Sequence, residues 1–465
     1  MRLKIVFFPI FLTPISCSLL NINNVNENKI FSPFPLDVSS EIELNASIKD
    51  NLIKMNSKII FFSGDEDVYC LNPLNGKIDW KFHLPFKFLS KLSFDKNFIY
   101  LIDHRNIVYK LDKDSGKIVQ IKNIEINKIV RFDVDQNLMF ALTEKNEILC
   151  FDLSKNKRIW STKILSRGVS GPFLNSNNIY LSGEDNSFYS ISKNTGKNSW
   201  KIKFSERIEG EPAFDRNNIY FGSNDDYFYS IRKKNGSIKW RVRTGGDIKL
   251  KPLIDKKYVY FVSMDKFLYC VKKSGGNLIW WKKLPARTYS FLDDLENFII
   301  ISTQKGNVLC FNKFTGNLSG EFSTGIENVS NPLWIDPFII VAKNEGGTGK
   351  ILLLQKLRSV SLKPDKAPPQ DIGELISISA ETVGFIKPVY KFTIFKNGKK
   401  FLETDEITES KINWIPKEEG EYIIKIKVKE EQKIKETEIS YSIINSKKEE
   451  LRRNLLWDKN CYKHR

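Results

Sequence analysis

From residue 45 to residue 358 the chain alternates short apolar runs with polar turns, and the alternation recurs every forty residues. Residues 211–244 show the grain of one unit. Asn217-Asn218 precedes the apolar run Ile219, Tyr220, Phe221; Asp225-Asp226 precedes Phe228, Tyr229, Ser230, Ile231; and Lys234-Asn235-Gly236 precedes Ile238, Trp240 and Val242, which alternate with Lys239, Arg241 and Arg243. Such spacing predicts three tight turns between four short strands. The third strand is apolar on both faces, as an interior strand covered on both sides must be. The fourth alternates, as a half-exposed outer strand does.

The repeat keeps several columns in phase. Gly closes a turn at Gly76, Gly116, Gly196, Gly236, Gly276 and Gly316, and Trp follows four later at Trp80, Trp160, Trp200, Trp240 and Trp280. Pro recurs at Pro172, Pro212, Pro252 and Pro332, and Tyr at Tyr100, Tyr180, Tyr220 and Tyr260. A fixed period in the forties filled with strands predicts a β-propeller. The Gly allows the positive φ that its turn needs, and the Trp is placed to lie across the seam between neighbouring blades. The apolar third strand occurs at 68–71, 108–111, 148–151, 188–191, 228–231, 268–271, 308–311 and 351–354. We therefore expect eight blades, with a seven-bladed ring and a degenerate last copy as the alternative. The eighth copy lacks Gly and Trp, so residues 34–44 are expected to supply its outer strand and close the ring, which leaves no open sheet edge.

Residues 71–80 and 191–200 resemble the tryptophan-docking motif of the quinoprotein-type (PQQ-like) propeller repeat, and GPFLNSNNIYLSG at 171–183 resembles its first half. The resemblance extends over about residues 45–358. WD-type propellers fit less well, because the residue after each Trp is Lys81, Ser161, Lys201, Arg241 or Trp281 and never Asp. Quinoprotein enzymes hold their cofactor against an adjacent-cysteine disulfide beside a calcium ion. The chain has no Cys-Cys pair, no Asp-rich calcium loop and no long insertions between strands. A quinone-dependent dehydrogenase is thus the least favoured reading, and neither cofactor nor metal is expected.

Ahead of the repeats, Arg2 and Lys4 lead a short apolar stretch ending at Ser16-Cys17, the form of a secretory signal too short to span a bilayer. Cys17 resembles the acylated cysteine of a bacterial lipoprotein, with a simply cleaved signal as the alternative. The formal charge of +18 is spread along outer strands and loops with acidic residues among it. That distribution describes a solvated surface, and no nucleic-acid partner is expected. Cys70, Cys150, Cys270 and Cys310 share one repeat column, which Ser190 and Ser230 fill elsewhere; adjacent blades hold them too far apart for disulfides, so they are expected to be small buried residues. Cys461 is expected to be a free thiol in a polar tail. His83, His104 and His464 show no metal-ligand spacing.

Pro364, Pro368 and Pro369 mark a linker. Strands are then expected at 376–380, 390–396, 412–415, 422–429 and 436–443, with a hairpin turn at Asn397-Gly398. Glu419-Gly420-Glu421-Tyr422 resembles the tyrosine corner of bacterial immunoglobulin-like modules, and Trp414 would anchor that sandwich's core. The expected organisation is a leader over 1–17, a tether and ring-closing segment over 18–44, the propeller over 45–362, a linker over 363–370, an immunoglobulin-like sandwich over 371–445 and a charged tail over 446–465.

An exported propeller of this repeat class with a lipid anchor is most similar to the lipoprotein subunit of the outer-membrane β-barrel assembly (BAM) machine. The resemblance implies a non-catalytic scaffold on the periplasmic face of the outer membrane whose partners are envelope assembly proteins. The appended sandwich keeps a second reading open, a surface-displayed binding or adhesion lipoprotein. Within the ring, the connection entering each innermost strand carries Lys87, Asn127, Arg167, Arg207, Asp247, Arg287 or Glu327 at one repeat position. Lys87, Arg167, Arg207 and Arg287, with Lys249 and Lys251, form a candidate basic arc for a protein partner. Ordinary solvated loop charge is the alternative.

Overall fold

The computed structural model describes residues 36–448, apart from 65, 88–91, 328, 357–358, 384, 386 and 431–432. The leader, Cys17, the tether up to residue 35 and the tail from 449, with Cys461, lie outside the described residues. The chain divides into two units, Met1–Leu354 and Gln355–Arg465.

The first unit is all-β and propeller-type, with eight four-stranded sheets among the described residues. Seven are built from consecutive strands. The fifth sheet, for example, runs Ala213–Phe214, Asn218–Gly222, Tyr227–Arg232, Ile238–Arg243. Its third strand is buried over four consecutive residues and its fourth alternates, as the apolar pattern requires. The remaining sheet is discontinuous. Leu333–Ile335, Phe338–Glu345 and Thr348–Lys356 are completed by the N-terminal strand Leu36–Leu44, paired to Thr348–Lys356. One buried cluster then joins Leu333, Ile340 and Ile351 of this sheet to Ile59, Phe61 and Leu71 of the first, closing the circle.

Neighbouring sheets are locked by the Trp and Gly columns acting together. The indole Nε1 of Trp80, Trp160, Trp200, Trp240 and Trp280 donates to the carbonyl of Lys113, Lys193, Lys233, Lys273 and Lys313, each in the following sheet, at 2.8–3.0 Å. The same indoles lie against the glycines of those following sheets. A Cβ at Gly116, Gly196, Gly276 or Gly316 would stand 2.5–2.7 Å from Trp80, Trp160, Trp240 or Trp280, and one at Gly236 would stand 2.8 Å from Trp200. Each of these glycines has φ between 66° and 72°, so the position excludes side chains on both backbone and steric grounds. The third sheet has lost both members of the pair: Gln120 stands in the preceding Trp column and Asn156, at φ 53°, in its Gly column, whereas Gly76 keeps the positive φ facing Ser40 in place of a Trp.

The cysteine column has the same origin. A bulge between third and fourth strands recurs after Cys70, Cys150, Ser190, Ser230 and Cys270, and sets Trp80, Trp160, Trp200, Trp240 and Trp280 directly across from them. Only a small side chain fits opposite the indole. Cys70, Cys150, Cys270 and Cys310 are all free and buried. A second set of ties runs from Tyr hydroxyls to carboxylates of the turns: Tyr100 to Asp95, Tyr220 to Asp215 and Tyr260 to Asp255 at one end of the strands, Tyr189 to Asp185, Tyr229 to Asp225 and Tyr269 to Asp265 at the other, all at 2.7–2.9 Å.

The second unit is a pair of sheets around one core of Ile376, Phe392, Trp414, Tyr422, Ile424 and Tyr441. It starts earlier than the sequence suggests. Ser359–Pro364, expected at the ring's end and in the linker, is a strand paired with Ile376–Val383. Its alternating burial is that of a sheet with one covered face, and Pro364 is tolerated because it ends the strand. The strands expected at 390–396, 422–429 and 436–443 lie within Val389–Lys396, Gly420–Glu430 and Lys433–Ile444, while Ile415 falls just outside Lys411–Trp414. The Asn397-Gly398 turn, both residues at positive φ, joins Val389–Lys396 to Lys399–Glu403, a strand the pattern did not reveal. The Tyr422 hydroxyl donates to the Glu418 carbonyl at 2.8 Å, and Trp414 meets the Tyr422 ring edge-on.

Candidate interaction surface at the inter-sheet connections

Because strands within each sheet alternate in direction, the connection from a fourth strand to the next first strand lies at the same end as the turn between second and third strands. One backbone bond latches the two. The carbonyls of Lys87, Arg167, Arg207, Asp247 and Arg287 accept from His104, Glu184, Asn224, Met264 and Gln304 at 2.8–3.2 Å. The shared latch places these residues at equivalent points around the ring. In the third sheet it slips by one residue, so that Lys128 rather than Asn127 accepts from Glu144. Asn127 instead donates through its side chain to Glu147 at 3.3 Å. Glu327 is exposed.

The side chains of Lys87, Arg167, Arg207 and Arg287 are exposed and have no ion pair within the described residues. Lys249 and Lys251 differ from expectation. Lys249 is paired with Glu209 at 3.3 Å and Asp247 at 3.2 Å, and these acids raise its pKa although burial opposes them. Lys251 is paired with Glu211. Glu209 and Glu211 lie one repeat earlier in the same columns, so opposite charges on adjacent copies meet across the seam, while Asp247 belongs to the same copy as Lys249. Asp226 adds a further acid nearby, its pKa raised by burial and by Asp247. Arg207 and Arg287 are therefore separated by a largely neutralised or acidic stretch, and of the six expected cations Lys87, Arg167, Arg207 and Arg287 are the ones left without an ion pair among the described residues.

Sequence reasoning missed the apolar component. On the same connections Leu165 is 86% exposed, Tyr289 56% and Phe86 41%. They flank Arg167, Arg287 and Lys87. The Arg105 guanidinium lies 3.2 Å over the Phe86 ring centroid, with His104 beside it. Exposed aromatics next to arginines have the composition of protein-binding hot spots. The signal lay in the repeat: Leu165 is the one leucine and Phe86 the one aromatic residue of their repeat columns, where other copies carry Pro, Glu, Ser, Gly, Ala or Ile.

The central space offers a cavity of about 820 Å³ lined by Phe94, Phe173, Phe214 and Ile254 together with Arg131, Asp133, Glu211 and Lys251. Arg131 remains in contact with water, but the surrounding wall lowers its pKa by desolvation. Asp133 accepts from Ser93 at 2.6 Å. The residues do not fit the quinone of the PQQ-like enzymes. The four described cysteines sit in four different sheets, each opposite the outer strand, and burial pushes the Cys70 thiol up to about 11 and those of Cys150 and Cys310 to about 12. Among the described residues no group of three or more His, Cys, Asp or Glu is placed to hold a metal, and no helix is long and apolar enough to cross a membrane.

Residues 122–319 match the family model described as "PQQ_2: Outer membrane protein assembly factor BamB". No curated protein matches the sequence. Among solved structures, the crystal structure of BamB from Moraxella catarrhalis aligns at a TM-score of 0.55 with 14% identity, over 69% of this chain and 100% of that one. The crystal structure of the computationally designed Ika8 protein aligns at 0.56 with 13% identity, over 67% of this chain and 97% of that one. The first unit thus has a propeller fold similar to that of BamB, with the PQQ-like family model matched over residues 122–319, and the chain carries additional sequence beyond the part that a BamB chain matches.

Proposed function

We propose that the protein is a non-catalytic binding scaffold of the bacterial cell envelope that assists the assembly of outer-membrane proteins. In this reading the first unit is an eight-bladed ring, the second an immunoglobulin-like sandwich, and the leader ends in an acylated Cys17 that anchors the mature chain at the periplasmic face of the outer membrane. The observation that carries the binding role is the shared end of the ring: Phe86, Leu165 and Tyr289 stand exposed beside Lys87, Arg167 and Arg287. A rigid circle of latched connections can hold such anchors without an ordering cost on binding. The match of residues 122–319 to an outer-membrane assembly factor model supports the choice of partner class.

The test is crosslinking in intact membranes, with wild type compared with the triple reversal Arg167→Glu, Arg207→Glu, Arg287→Glu and with Leu165→Ser/Tyr289→Ser. Capture of a barrel-assembly protein by wild type, and its loss in both variants with unchanged circular dichroism, is expected. Exposed charges contribute little to stability and more to association, so the fold should survive. Undiminished capture by both variants would remove this surface from the interface. Capture of no assembly protein would favour the second reading, a displayed binding lipoprotein. That reading draws on the sequence beyond the BamB-like part, and protease shaving of intact cells tests it.

A further inference from the structure

At the other end of the strands, turns of the fourth and fifth sheets enclose a groove of about 620 Å³. Its lining is cationic: Arg216 on one turn of the fifth sheet, Arg232, Lys233 and Lys234 on another, and Lys239 on the outer strand, facing amide side chains that include Asn175. No carboxylate lines it. Asp215, behind the wall, already accepts from the Asn217 and Asn218 amides and the Tyr220 hydroxyl at 2.7–2.8 Å. Arg216, Lys234 and Lys239 have no ion pair within the described residues, and Arg232 has only a 3.1 Å bond to Ser237. Burial lowers the Lys233 pKa, against the pull of Asp215.

Part of this charge recurs along the repeat, with Lys113, Lys193, Lys273 and Lys313 in the Lys233 column, Lys272 in the Arg232 column and Lys96 and Lys256 in the Arg216 column; what sets this seam apart is the replacement of acids. The position of Arg232 is Asp112 in the second sheet and Asp152 in the third; that of Lys234 is Asp114 in the second; that of Lys239 is Asp79 in the first. Asn175 replaces the acid found at Asp95, Asp135, Asp215 and Asp255. The positions that carry acids in other copies have become basic or neutral here, all around a single groove. Like charges gathered in this way repel one another, and an anion bound between them relieves that repulsion.

We infer that the groove binds phosphoryl groups, either of a small phosphorylated solute or of an anionic phospholipid headgroup. Guanidinium forks can hold two phosphoryl oxygens at once, and the lysines add point charge. Several cations around a small volume suit a multiply charged anion better than a single carboxylate. The lining has one aromatic residue, Tyr180, and no aliphatic side chain, so it is not built for an apolar ligand. The inference is independent of the proposed scaffold role, which uses the opposite end of the strands.

The full chain is titrated calorimetrically with sodium pyrophosphate, and separately co-sedimented with phosphatidylcholine vesicles with and without phosphatidylglycerol. Each is repeated with Arg216→Gln/Lys234→Gln/Lys239→Gln and with a charge-matched control, Arg167→Gln/Arg207→Gln/Arg287→Gln. The groove variant is expected to bind about tenfold more weakly or worse, with the control close to wild type. Pyrophosphate binding that is lost only in the groove variant identifies a phosphorylated solute. Binding confined to phosphatidylglycerol vesicles and lost only in that variant identifies a headgroup. No binding to either probe, or equal losses in the two variants, overturns the inference. Loss of protein capture in the scaffold experiment leaves it untouched.

Discussion

Gly276 separates two reasons for a glycine, and substituting it measures the interlock between sheets. Gly276→Ala forces a Cβ into φ 72°, at about 1–2 kcal/mol. It also drives that Cβ to 2.7 Å from the Trp240 ring, which is itself held by the Nε1 bond to Lys273 at 3.0 Å. Overpacking of this kind costs a further 1–3 kcal/mol, roughly. Gly325 is the control, because it has φ 74° but nothing within 4 Å of its would-be Cβ. Urea unfolding should therefore show Gly325→Ala destabilised by about 1–2 kcal/mol and Gly276→Ala by about 2–5 kcal/mol. In a Trp240→Ala background the penalty at Gly276 should fall to the backbone cost alone, a coupling of about 1–3 kcal/mol. Equal penalties at the two glycines, or no coupling to Trp240, would refute the claim that the columns act as a pair.

Alkylation of native protein followed by peptide mass spectrometry should leave Cys70, Cys150, Cys270 and Cys310 unmodified at pH 8, and modify all four once urea is added, because burial keeps them as thiols. At Asp215 burial alone would raise the pKa, but bonds from Tyr220, Asn217 and Asn218 outweigh it and hold the carboxyl below its usual value. A depressed folded pKa gives stability that is present above the unfolded value, about pH 4, and lost as pH falls through the folded value; Asp215→Asn should thus be less stable than wild type at neutral pH, with the gap closing in acid urea titrations. Tyr422→Phe removes the bond to the Glu418 carbonyl and should lower stability by about 1 kcal/mol in urea unfolding of the full chain, without altering the first unit's alkylation pattern.

The first unit was legible because its packing constraints recur: one interlock, repeated, leaves Gly, Trp and a small residue at fixed spacing. Even the pairing of Leu36–Leu44 with the last sheet lies within the segment expected from a copy that lacked its outer strand. What escaped was non-periodic or cross-copy. Ser359–Pro364 and Lys399–Glu403 are short strands of mainly polar, half-covered residues, so burial writes little into their sequence. The neutralisation of Lys249 and Lys251 depends on Glu209 and Glu211, and comparing charges column by column at a separation of forty would have exposed it. Leu165 and Phe86 each occur in a single copy of their repeat columns, so the periodic pattern does not mark them.

The way the circle is finished also orders its folding in time. Seven sheets consist of neighbouring strands, and each can assemble from local contacts as its own stretch of chain becomes available. The remaining sheet needs Leu36–Leu44 and Thr348–Lys356, which enter the fold from opposite ends of the first unit. Until they meet, Ile351, Leu352, Leu353 and Leu354, each no more than 2% exposed in the finished protein, stand on an unpaired edge. The pairing of greatest sequence separation thus also covers the most apolar edge of the last sheet, so the N-terminal strand is the piece whose loss would leave that edge open to other chains.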